Sequence, residues 1–219
     1  MALMILTGIY FLVFFLCVVI SVKQKINKIN NDYLYIYLGI IFMIDISVLI
    51  LQQIFKIDTS MIYIFSDIVN IFFTYLYFKI QIGSVRYIAE ITIFAAACVF
   101  IVNDWEEWKY SDYCSIISCF YSIAVCLLGF YKILDTNFNS AKKIQNIPFF
   151  WYATAILLWS TAFLMRTIPR FYFQSVDDLF MEELRLFFAV INIITYLIFF
   201  MLLLQYNKNG KTTLFKQPD

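Results

Sequence analysis

The chain has 219 residues, of which 63% are hydrophobic, 21% aromatic and only 14% charged, and its formal net charge is +1. Soluble domains carry about 25% charged and about 45–50% apolar residues, so this composition excludes an ordinary soluble domain. With no basic block to follow phosphates, it also excludes a nucleic-acid partner.

The class that remains is an all-α, polytopic transmembrane helix bundle. A hydrophobic segment needs about 20 residues to cross a bilayer core about 30 Å thick. Seven segments read as spans, at about 4–22, 33–55, 61–79, 86–103, 113–131, 148–166 and 183–206, with short connections and a cytoplasmic tail at 207–219. The first, MALMILTGIYFLVFFLCVVISVKQK, has no positive charge ahead of its apolar run and no small-x-small cleavage site behind it. It therefore reads as a retained span rather than a secretory signal.

The second and third spans each carry an acid, Asp45 and Asp67. An ionisable group at the bilayer centre costs at least about 2.5 kcal/mol, so such groups are functional candidates by default. Asp45 lies about 18 Å from the inner end of its span and Asp67 about 9 Å from the outer end of the next, which places them at similar height. Antiparallel neighbours could then bring the two carboxyls together, with Asn70 beside Asp67 one turn on. Carboxyls in contact cannot both ionise cheaply, and a shared proton would suit a relay or a cation site. The competing expectation is that each is a helix-packing group.

In the fourth span Glu90 follows Arg86 by four residues, which makes an intrahelical pair available. The fifth begins SDYCSIISCFYS, with serines and cysteines but no base. The five cysteines are odd in number, lie mostly within spans and form no CxxC, so they read as small apolar side chains rather than a disulfide framework or a zinc site. In the sixth span Pro148 stands at the tolerated first position and Pro169 is expected beyond the end.

Between the last two spans lies RTIPRFYFQSVDDLFMEELR. Ser175 with Asp178 can cap a new helix, and Phe173, Val176, Phe180 and Leu184 recur at spacings of 3 and 4 as an apolar stripe. This predicts a short amphipathic helix at the membrane surface running into the seventh span. Its charged residues, Arg166, Arg170, Asp177, Asp178, Glu182, Glu183 and Arg185, are candidate outer-surface contacts. The seventh span adds Asn192 and Thr195 but no lysine. The seven-span plan is similar to that of the rhodopsins, but a retinal Schiff base cannot form there.

Orientation follows from Lys and Arg, which favour the cytoplasmic side. With the N-terminus outside, eleven basic residues fall inside (Lys23, Lys25, Lys28, Lys79, Arg86, Lys132, Lys142, Lys143, Lys208, Lys211 and Lys216) and five outside. The usage of Ile, Phe, Tyr and Asn suits an A+T-rich prokaryotic coding sequence, and hence the plasma (inner) membrane of a prokaryote.

The complete absence of histidine removes imidazole-ligated haem or copper, a histidine base and histidine-dependent intramembrane metalloproteases. No catalytic residue, metal site or cofactor is expected. Three functions remain. The first is a non-catalytic subunit, scaffold or sensor, that contacts other membrane proteins or further copies of itself. The second is a small-solute or cation- or proton-coupled permease using Asp45 and Asp67, and the third a seven-helix receptor. The intramembrane polar candidates are Asp45, Asp67, Asn70, Arg86, Glu90 and Asn192.

Overall fold

The computed structural model describes residues 2–27, 33–56, 59–83, 86–105, 112–137, 144–173 and 178–209. Among them stand seven α-helices and no strand: α1 (Ala2–Ile26), α2 (Leu34–Ile50), α3 (Ser60–Ile82), α4 (Arg86–Trp105), α5 (Asp112–Asn137), α6 (Pro148–Phe173) and α7 (Asp178–Asn209). Each coincides with an expected span. Five contain stretches long and apolar enough to cross a bilayer: Leu3–Ile26, Met61–Ile82, Tyr113–Asp135, Pro148–Pro169 and Leu179–Tyr206. The apolar helices Leu34–Ile50 and Tyr87–Val102 are shorter. This is the make-up of a multi-pass membrane protein.

Three local features depart from simple periodicity. First, α2 does not stop at Ile50 but widens into a π-helical turn over Leu51–Phe55. The turn closes at Lys56, whose N–H bonds back to the Leu51 carbonyl at φ 53°, in the left-handed region. Second, Pro169 lies inside α6, which continues to Phe173; the expectation that it ends the helix is corrected. A proline removes one N–H from the ladder, but membrane helices tolerate such breaks where neighbouring helices supply contacts, and α6 packs closely on α7.

Third, α7 runs as one 32-residue helix from Asp178. The proposed cap residue Ser175 and the stripe residue Val176 lie outside the described residues, as does the side chain of Phe173. Phe180 and Leu184 are half-buried, whereas Met181 is buried. A continuous helix takes the phase of its longer part. Phe188, Ile191, Thr195, Phe199, Leu202 and Tyr206 face the bundle, and extending that row back at the same spacings passes through Leu184 to Met181.

Short connections make successive helices antiparallel neighbours, and each packs on the next. α7 returns to α1 and closes a ring, while α3 also packs on α5 and α6 and so takes the central place. The core is aromatic: Phe14 stacks on Tyr196 at 3.9 Å between centroids, and Tyr77 on Tyr152 at 4.1 Å. α5 and α6 approach closely at Gly129, where a Cβ would overlap the ring edge of Phe149. Glycine is what lets the Phe149 ring lie against the α5 backbone.

The inward face of α3 is polar along much of its length. Asp67, Asn70, Thr74, Tyr77 and Gln81 follow one another at spacings of 3 and 4, which keeps them on one side of the helix. Each has a partner on another helix. Ser115 donates to Asp67 at 2.7 Å, and Asn70 Nδ2 reaches Ser118 and Ser122 at 3.3 Å. Thr74 meets Tyr152 at 3.2 Å, Tyr77 meets Tyr206 at 2.6 Å, and Gln81 donates to Tyr206 at 3.2 Å. Lipid offers a helix no hydrophobic drive to associate, so packing and interhelical hydrogen bonds do that work.

Candidate functional site

Six of the seven helices, all but α4, line a cavity of about 410 Å³ that is partly open to the surroundings. It lies in the half of the bundle where α1, α3, α5 and α7 begin. Tyr10 is about 12 Å from the start of α1 and Asp67 about 10 Å from the start of α3, at 1.5 Å per residue. Gln52, exposed on the π turn, stands at the rim. It donates to the buried Thr59 hydroxyl at 2.7 Å and reaches the Tyr63 hydroxyl at 3.4 Å. π turns recur at functional sites, and here the turn sets a cavity-lining amide against the first residues of α3.

Both intramembrane acids are on this lining, although they do not pair. Asp45 accepts from the Tyr10 hydroxyl on α1, and Asp67 from Ser115 on α5. The expectation of carboxyl-to-carboxyl contact is therefore corrected. The ring closure turns the acid of α2 toward α1, and the central position of α3 turns its acid toward α5. Among the described residues neither carboxyl has a basic partner.

Asn70 lies on the same wall, its Oδ1 accepting from Tyr37 at 3.3 Å while its amide nitrogen serves Ser118 and Ser122. Asn192 of α7 faces the cavity and accepts from Trp159 Nε1 at 3.0 Å. Arg166, read from the sequence as an outer-surface residue, is part of the lining, with its guanidinium 4.8 Å from the centre of the Phe188 ring. Nine of the lining residues are aromatic, among them Tyr10, Tyr63, Trp159, Phe163 and Phe188. Toward the other end of the bundle, Tyr37, Tyr152, Tyr77 and Phe199 pack ring against ring and floor the cavity.

The remaining candidates are elsewhere. Glu90 is exposed on α4, which contributes nothing to the cavity, and its pairing with Arg86 lies outside the described residues because the Arg86 side chain does. Glu182, Glu183 and Arg185 are exposed on the first two turns of α7. Asp177 and the side chains of Arg170 and Asp178 lie outside the described residues. Sequence periodicity passed over Tyr10, Ser115, Gln52 and Trp159. The serines were legible as a row at 115, 118 and 122 in SDYCSIISCFYS, at spacings of 3 and 4; the other three carry no signal apart from the tertiary fold. Comparison with known protein families, curated proteins and solved structures yields no match.

Proposed function

We propose that this chain is a seven-span membrane protein, N-terminus outside, that binds a small solute in its outer half without covalent chemistry, as a permease or a receptor. One observation carries this reading: a cavity of about 410 Å³ gathers Asp45, Asp67, Asn70, Asn192 and Arg166 from four helices. Small-molecule sites are mostly apolar hollows of about 300–1,000 Å³ with a few convergent polar groups. Polar and ionisable side chains within spans mark solute paths because placing them there is costly. The seven-span assignment treats α2 and its π turn as one crossing, since together they cover residues 34–55, about 33 Å at 1.5 Å each.

The aromatic floor closes the cavity toward the cytoplasmic side in this orientation. In a permease that floor parts and Asp45 and Asp67 serve the transported solute; in a receptor it holds. The test is thermal unfolding of the purified protein in mild detergent against a solute collection, since a ligand that binds only the folded state raises Tm. Proteoliposome uptake of the hits then separates the two, as flux marks a permease and saturable binding without flux a receptor. Asp45→Asn with Asp67→Asn is expected to abolish either while assembly stays normal; full activity in that protein sinks the proposal. A subunit working through contacts with other membrane proteins would instead copurify with a stoichiometric partner and tolerate cavity substitutions.

A further inference from the structure

The lining also narrows the solute to one chemical class, an inference that rests on the binding reading above. The formally charged side chains on the lining are Asp45, Asp67 and Arg166, which leaves one negative charge in excess. In apolar surroundings an uncompensated charge is costly, and a group of opposite sign relieves it. Hydrogen-bonding capacity points the same way. An ionised carboxylate offers about four acceptor sites, and among the described residues each of these has a single donor, Tyr10 or Ser115. The amide donors of Asn70 are engaged by Ser118 and Ser122. The two carboxyls thus keep acceptor sites that no described side chain fills, and the complement of those sites is a donor.

A cavity of about 410 Å³ is in the size range of sites for organic molecules. The aromatic walls, Trp159, Phe163 and Phe188 among them, offer apolar area to a hydrocarbon body and ring faces to a positive charge. We infer that the cavity takes an organic monocation, with its ammonium group drawn by the charge of Asp45 and Asp67 and an aromatic or branched body against the rings of α6 and α7.

The test uses the full chain in detergent and four probes sharing one body: phenethylamine, 2-phenylethanol, phenylacetate and phenylalanine. Tm shifts against concentration give an apparent Kd for each. Phenethylamine is expected to stabilise the protein, and the neutral alcohol and the acid to do so far less. Asp45→Asn and Asp67→Asn should each weaken phenethylamine about tenfold or more, because a desolvated charge loses its partner; Asp45→Glu should retain binding. If the Asn variants do not assemble, the ranking of the four probes on the unaltered protein decides alone. Equal or stronger binding of the alcohol or of phenylacetate overturns the ammonium class and leaves the binding cavity standing. Binding of phenylalanine alone overturns the monocation and replaces it with a zwitterion. No Tm shift from any of the four overturns this inference, whereas the binding reading falls only if the whole solute collection also leaves Tm unchanged.

Discussion

Asn70 shows how a residue can be conspicuous in a sequence and ambiguous in meaning. Its position one turn from Asp67 marks it as facing the same way, but not toward what. In the fold it is buried and serves three side chains, Tyr37 on α2 and Ser118 and Ser122 on α5. Interhelical hydrogen bonds in membranes are worth about 0.6 kcal/mol each and at most about 1.7, so Asn70→Ala should cost about 1–2 kcal/mol. Unfolding in mixed micelles of mild and denaturing detergent measures this, and an unchanged midpoint would mean that α3 is held by ring packing alone. Asp67 and Asp45 line the same cavity as Asn70 but differ from it in having a single hydroxyl partner each, against three side chains for Asn70. That difference separates groups that hold helices together from groups placed to meet a solute.

At the scale of elements, helix positions were legible and helix ends were not. Apolar length locates a membrane helix because each backbone polar group must be satisfied within it. Ends depend on contacts. Pro169 reads as a terminator, yet α6 continues past it on the support of α7, and at the start of α7 the buried residue is Met181, which the expected stripe did not include. The π turn at Leu51–Phe55 has no signature in LQQIF, because it comes from the way α2 must meet the first turn of α3. The contact of α5 with α6 gives the sharpest prediction at this scale. Gly129→Ala drives a methyl into the ring of Phe149, which is fully buried and packed edge-on against Phe78, with Tyr77 stacked beside it at 6.3 Å. Overpacking of this kind costs about 1–3 kcal/mol, to be read as a lowered Tm in detergent, and Gly129→Ala with Phe149→Leu should recover part of the loss.

At the scale of the whole molecule, the ring of helices closed by α1 and α7 around a central α3 creates the cavity. The proposal that it faces the outer side rests on the eleven-to-five distribution of Lys and Arg through the positive-inside rule. Single cysteines test it: Glu183→Cys at the exposed start of α7 should react with a membrane-impermeant maleimide on intact cells. Gln145→Cys, exposed on the turn before α6, should react only after permeabilisation. The native cysteines lie within helices, and the unaltered protein supplies the background. The reverse pattern would put the cavity on the cytoplasmic side and overturn the orientation.

The sequence by itself determined that the chain is helical, of membrane type, and where each helix lies, because composition and apolar length answer to the bilayer and to nothing else in the protein. It also singled out Asp45, Asp67, Asn70 and Asn192, since the price of a polar group in lipid makes each one conspicuous without any partner being known. Only the tertiary structure decided that these residues and Arg166 share a cavity while Glu90 does not. It likewise decided that the acids face Tyr10 and Ser115 rather than each other. The two hydrogen bonds join residues 35 and 48 positions apart, and the shared lining joins residues much farther apart in the chain. They depend on which helix occupies the centre of the ring, a choice made by packing among all seven helices together.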